Sequence, residues 1–253
     1  MSFGQTKLDA GDLVMPRVKL LQAQSEEAAD GRGKPGEFWN TLTSELYGAT
    51  LRFMPILPFK QRIFLVRAER REAIDDALVA GGLAELPDGT GLMCRSIDMI
   101  EGRGYPGIAC DTCPLSKWDG QKPPLCSETY NVAAMTELGD LIILSFSKSS
   151  AKVGKSLFSM LRLSPRAAWS RVFEISARAE KGQLGNYQVP IIRPLTSEIP
   201  APELLRQAET WARQLEGTVL DVTPVEEDEE SYTPTQRARD AVPVGAADED
   251  APF

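Results

Sequence analysis

The chain has no histidine among its 253 residues. The usual acid–base group of neutral pH, and the imidazole that most often ligates metals, is therefore missing. No run approaches the roughly 18 consecutive apolar residues of a membrane-spanning helix. The start, MSFGQTKLDAGDL, lacks the basic-then-apolar layout of a secretory signal. The expectation is a cytoplasmic protein with no membrane partner. Acidic metal-binding or catalytic clusters of the HExxH or DxD kind are absent before the C-terminal stretch. The segment SSAKVGKS ends like a phosphate-binding loop, but Ser149 stands where GxxxxGK[ST] needs its first glycine. No residue is assigned a catalytic role, and an enzyme is not expected.

What is present is an uneven distribution of charge. The net charge is −8. From Asp221 to Phe253 ten acids face two arginines, so this stretch carries −8 and residues 1–220 balance to zero. Within that neutral body, Arg52 to Arg71 holds six bases and one acid, and Lys148 to Arg193 holds nine bases and two acids. Blocks of this kind suggest interaction surfaces.

The texture along the chain divides it into an extended N-terminal segment (1–35), a folded core (36–220) and a disordered acidic tail (221–253). Aromatic and branched residues predict two or three strands between 37 and 68, with Pro55 and Pro58 marking a bend or an edge. ERREAIDDALVAGG predicts a helix stopped at Gly81 and Gly82. Residues 90–127 read as a loop. ETYNVAAMTELGDLIILSFS predicts a hairpin turning at 137–140, where Gly139 supplies a positive φ. SAKVGKSLFSMLRL predicts a helix with Val153, Leu157, Met160 and Leu161 on one face. A second hairpin over 171–195 and a helix ending at Gly217 complete the core. The expected class is mainly β with accessory helices, an OB-like antiparallel barrel carrying an inserted loop.

That loop bears the only four cysteines, Cys94, Cys110, Cys113 and Cys126, spaced C-x15-C-x2-C-x12-C. Four thiolates suit a structural zinc ion in tetrahedral geometry, with bonds of about 2.3 Å and no open position for water. The loop is poor in large apolar residues, and metal binding would supply its missing folding energy. Disulfides do not suit a reducing compartment. A redox CxxC and an iron–sulfur cluster are the other uses of such residues.

Both basic segments mix cations with rings, as surfaces for unpaired nucleic acid do when cations track phosphates and rings stack bases. The candidate contacts are Trp39, Arg52, Lys60, Arg62, Arg67, Lys148, Lys152, Lys155, Arg162, Arg171, Arg178 and Tyr187. Two or three rings should face solvent, with Trp39 and Tyr187 the better stackers and Phe173 inside. The last residues, DEDAPF, resemble the acidic Pro-Phe tip of bacterial single-stranded DNA-binding proteins, with Ala251 where that tip carries a larger apolar residue. The organisation as a whole resembles phage-type, zinc-containing single-stranded DNA-binding proteins. The resemblance implies protection of DNA during replication, recombination or repair, in a host cytoplasm. It also implies that Asp248, Glu249, Asp250, Pro252 and Phe253 recruit a replication or repair enzyme. A zinc-loop interaction or transcription-associated module, a strand-annealing recombinase and a metal-dependent nuclease are the alternatives. Self-association into a homo-oligomer stays open.

Overall fold

A computed structural model describes residues 14–222 apart from 68–70, 81, 83–86, 88–89, 119, 121–122, 183–184, 219 and 221. Of the expected tail, 221–253, only Val222 is described; the rest, with its docking residues, and residues 1–13 lie outside the described residues. In chain order the elements are β1 (Arg17–Leu20), α1 (Glu26–Ala29), β2 (Phe38–Asn40), β3 (Leu46–Gly48), β4 (Thr50–Val66), α2 (Arg71–Ala80), β5 (Gly91–Ser96), β6 (Arg103–Gly104), β7 (Ser127–Thr136), β8 (Leu141–Phe146), α3 (Ala151–Arg162), β9 (Phe173–Gly182), β10 (Gly185–Pro194) and α4 (Pro202–Leu215). The chain is mainly β with a few helices, as its composition predicts.

The strands form one sheet in the order β10-β9-β4-β7-β8-β1-β2-β3, with β5 and β6 branching from β4. Pairing is antiparallel except between β1 and β8, which run parallel. Residues 17–20 of the N-terminal segment form a strand of this sheet.

The long strand β4 explains its own prolines. Residues 50–53 pair with β9, residues 53–63 with β7 and residues 62–66 with β5. Between 54 and 61 only the β7 side is laddered, and Pro55 and Pro58 sit there. A proline, having no N–H, is tolerated where one side of the strand is an edge. The register shifts between Pro55 and Leu57, so a bulge accommodates Ile56 and bends the strand.

The sheet curls over a core of Phe38, Leu51, Phe53, Tyr130, Val132, Ile142, Leu144, Phe146 and Phe173. Phe53 and Phe173 stack at 5.8 Å. Helix α3 covers this core: Leu157 and Leu161 are buried, and Val153, Phe158 and Met160 pack at the margin. The predicted apolar face is the one it buries. Helix α4 covers a second cluster around Met54, Met135 and Ala208.

The expected closed barrel is not what the ladder shows. Among the described residues the path has two ends, β10 and β3, and no strand pairing joins them. A side-chain amide instead ties β10 to the segment just after β1. The backbone N–H of Gln188 donates to Gln22 Oε1 at 2.7 Å, and Gln22 Nε2 donates to the Gln188 carbonyl at 3.1 Å. Both backbone groups of an edge residue on β10 are therefore satisfied, as a pairing strand would satisfy them.

Gly154 is where α3 meets the sheet most closely. A Cβ there would stand 2.6 Å from Tyr130 Cβ and 2.8 Å from Phe146 Cβ. Replacing glycine by alanine gains about 1 kcal/mol of helix propensity, whereas overpacking a core costs about 1–3 kcal/mol. Gly154→Ala should be net destabilising by about 1 kcal/mol, because both neighbours are anchored near their backbones. The urea midpoint of the variant reads this out.

Candidate functional site

The cysteine stretch is more ordered than a loop. Cys94 lies on β5, opposite Phe64 of β4 and Gly104 of β6. The sheet edge at the end of β4 is what recruits this segment into strand, a long-range pairing with no local signature. Beyond β5, Asp98 organises the turn. Its Oδ1 accepts the N–H groups of Ile100 (2.8 Å) and Glu101 (3.1 Å) and the hydroxyl of Ser96 (2.9 Å). Those donors hold the carboxyl below its ordinary range, the Ile100 N–H most of all. Cys110 and Cys113 share a turn in which Ser116 Oγ donates to both of their carbonyls, at 2.7 and 2.9 Å. Cys126 is tied in by its N–H, which donates to the Leu115 carbonyl at 2.8 Å.

All four cysteines are free thiols and buried. They line one cavity of about 20 Å³ together with Phe64, Ile108 and Leu115. A cavity of about 10–15 Å³ already holds one water-sized particle, so this space fits a single ion rather than an organic ligand. Burial pushes the Cys126 thiol up to about 12 and also raises Cys94. Such thiols stay neutral unless a cation compensates them. Among the described residues no group of three or more His, Cys, Asp or Glu stands in an arrangement able to hold a metal ion. The four cysteines border the same cavity without forming such a shell.

The candidate nucleic-acid contacts separate into two sets. In the first basic segment the cations are engaged internally. Arg52 is ringed by Glu137, Glu174 and Glu198 at 3.3–3.6 Å. Lys60 donates to Glu128 at 2.6 Å and lies over the Tyr130 ring. Arg62 donates to the Ser116 carbonyl at 3.4 Å, bracing the cysteine turn. Arg67 is half-buried with one guanidinium nitrogen unpartnered. In the second segment Arg171 donates to the Met160 carbonyl at 2.8 Å and packs over Phe173. Arg178 pairs with Glu180, which also accepts the Tyr187 hydroxyl at 3.2 Å.

The other set is exposed and concentrated. Lys148 sits in a 3-10 turn over Lys148–Ser150 that feeds directly into α3, and Lys152, Lys155 and Arg162 follow on the helix. Arg166, not among the expected contacts, extends the row, and all five side chains are exposed. No acid occurs between Lys148 and Arg171. Among the described residues, no ion pair involves Lys152, Lys155, Arg162 or Arg166.

The rings differ from expectation. Trp39 is 6% exposed, with the Arg32 guanidinium 5.6 Å from its ring, so it has no free face for a base. Strand β2 turns it inward because all three of its residues are buried. Tyr187 is half-buried. Among the described residues the most open ring is Trp118, 67% exposed, just after the cysteine turn. Its neighbours Ser-Lys and Asp-Gly offered a signal, since a tryptophan amid turn residues has little chance of being packed inside. A polar cleft lined by Gln61, Asn131 and Ser145 was also missed. Its hint is an asparagine inside the otherwise apolar run YNVAAM.

A family model described as Pam3 phage gp34-like protein matches residues 2–81, the part that runs from the N-terminus through β4 and α2. This match supports a phage protein. No curated protein and no solved structure matches the chain.

The Lys60–Glu128 pair generates a pH prediction. Burial acts to raise the Glu128 pKa, but the Lys60 hydrogen bond and charge outweigh it, and the net direction is down. A depressed carboxyl contributes stability above its unfolded value, about 4.3, and loses it as pH falls through the folded value. Glu128→Gln should therefore cost up to about 1 kcal/mol at pH 7, the range for partly exposed pairs, and less at pH 3. Urea midpoints of both proteins at the two pH values check this.

Proposed function

We propose that this protein binds single-stranded DNA with little sequence preference, protects it during replication, recombination or repair, and recruits a partner enzyme through its acidic terminus. One observation carries the reading: a 24-residue segment without a single acid presents Lys152, Lys155 and Arg162 on a helix seated against a curled β-sheet and Arg166 just after it, and among the described residues no carboxylate pairs with these four. In a body of zero net charge, such a row has no evident structural use. Phosphates along a flexible strand would meet Lys148, Lys152, Lys155 and Arg162 in turn, and Arg166 extends the track. The open face of Trp118 would offer a stacking surface. The OB-like reading of the fold belongs here too. It is supported by the curled sheet and by the Gln22–Gln188 amide bridge between β10 and the segment after β1.

The cysteine cavity would hold a structural zinc ion through Cys94, Cys110, Cys113 and Cys126. The donor set is soft, the cavity is the size of one particle, and its remaining lining is mostly apolar. Bound zinc would keep the thiolates deprotonated and lend folding free energy to the segment between β5 and β7. The tail, with a charge of −8 between Asp221 and Phe253, would compete with phosphates for the α3 cations. Asp248, Glu249, Asp250, Pro252 and Phe253 would present the enzyme-docking tip.

A protein-interaction module is the second reading. It is favoured by the exposure of Trp118 (67%), Ile100 (66%) and Ile108 (40%) on the cysteine segment.

Titration with oligo(dT) and with a matched duplex separates the two. Tight, salt-sensitive, strand-selective binding is expected, and no binding would favour the interaction module. Replacing Lys152, Lys155 and Arg162 together by alanine should flatten the slope of log affinity against log salt by about 2, at about 0.7 per lost phosphate contact on a single strand. An unchanged slope would remove α3 from the interface. Zinc analysis of the same sample should give one ion per chain, and Cys110→Ser should lower both the metal content and the thermal midpoint.

A further inference from the structure

A cleft of about 140 Å³ opens beside the ends of β1, β7 and β8. Its walls include Arg17, Gln61, Asn131, Ser145, Lys148 and Tyr187, and none of the described residues that line it is acidic. The floor is polar and sealed from solvent: Gln61 and Asn131 are both 0% exposed. Two amides in this floor are linked in a chain. Asn131 Nδ2 donates to Gln61 Oε1 at 3.3 Å, and Gln61 Nε2 donates to the Leu220 carbonyl at 2.9 Å. The chain accounts for both amide nitrogens and leaves Asn131 Oδ1 over. This oxygen and Ser145 Oγ are buried with no hydrogen-bond partner among the described residues. Asn131 and Ser145 face each other in the register of β7 and β8, so the two unpaired groups are neighbours on one face.

Buried polar atoms are nearly always paired, because an unpaired one forfeits its hydration without return. Two side by side, on a cleft wall and within a well-satisfied sheet, indicate a ligand edge that completes them. The geometry asks for an N–H donor at Asn131 Oδ1 and a hydrogen-bonding atom beside it at Ser145 Oγ. Arg17 and Lys148 set a positive rim for an attached anion. The volume is below the roughly 300–1,000 Å³ of sites for drug-sized molecules, so one planar ring fits and a dinucleotide does not. The 3-10 turn that carries Lys148 forms part of the wall and leads straight into α3.

We propose that this cleft is a nucleobase pocket, which takes one base of the bound strand by its hydrogen-bonding edge against Asn131 and Ser145 while the strand's phosphates follow Lys148 onto α3. The inference rests on the single-strand reading of α3 but concerns a different surface, and it adds a base-dependent contact to a charge-dependent one.

The test uses the full-length protein with dTMP, 2-deoxyribose 5-phosphate and oligo(dT) as probes, in low salt. Calorimetry should show dTMP binding more tightly than the base-less phosphate by about tenfold, the scale of a base-edge contact. Ser145→Leu, which fills the cleft, should abolish the dTMP preference. Ser145→Ala removes an unpaired hydroxyl, so it should weaken dTMP while leaving the thermal midpoint unchanged or higher. A purely structural serine would do the reverse. Equal binding of dTMP and the base-less phosphate would overturn the pocket, as would serine variants indistinguishable from the parent protein. If oligo(dT) still binds in either of those cases, the pocket falls and the strand reading stands. If dTMP binds by its base while oligo(dT) does not bind, the pocket is upheld as a mononucleotide site and the strand reading falls.

Discussion

Strand β4 is the one backbone on which the separate parts of the molecule hang. Over 17 residues it pairs first with β9, then with β7 and finally with β5. The first stretch builds the core under α3, and the last holds Cys94 at the edge of the cysteine module. Between them lies Gln61, which anchors the floor of the polar cleft. β7 takes one edge, and β9 and β5 share the opposite edge at its two ends, since Phe53 pairs with β9 and β7 together and Arg62 and Ile63 with β7 and β5 together. The prolines fall in the stretch between them, where that second edge is open.

The electrostatics follow a similar division. Cations near the strands are absorbed by carboxylates on adjacent strands or loops, as Arg52, Lys60 and Arg193 are. Strands bring distant residues into register, so opposite charges readily meet across a sheet. Helix α3 and the turn after it contain no acid, and their outward faces have no neighbouring strand to supply one. The same count of basic residues therefore produces internal braces in one place and a bare positive surface in another. The cleft beside that surface differs in kind, because hydrogen-bonding geometry rather than charge would select its occupant.

Much of the architecture was legible in the sequence. The hairpin of β7 and β8 turns where Gly139 predicts it, with φ of +89°, and the buried face of α3 is the one its spacing predicts. These features depend on contacts between near neighbours in the chain. The strand character of residues 91–96 and the place of residues 17–20 in the sheet were not legible. Each depends on pairing with a remote edge, to β4 in one case and to β8 in the other. The candidate site was readable in part. The row from Lys148 to Arg162 could be read from its lack of acids, while Arg52 and Lys60 looked alike in sequence and proved to be paired. Trp39 could not be placed, because its burial is decided by what β2 lies against.

The sequence by itself determined the charge partition, the four-thiol spacing, the helix faces and the turns, since each is a property of residue type and short-range order. Only the tertiary structure decided which cations remain unpaired and which rings face water. It also decided that four cysteines from β5 and two later turns share one cavity, and that Asn131 and Ser145 meet without partners. Those outcomes depend on which strand edges find one another across the chain, and a pairing partner's identity is not written in either strand alone.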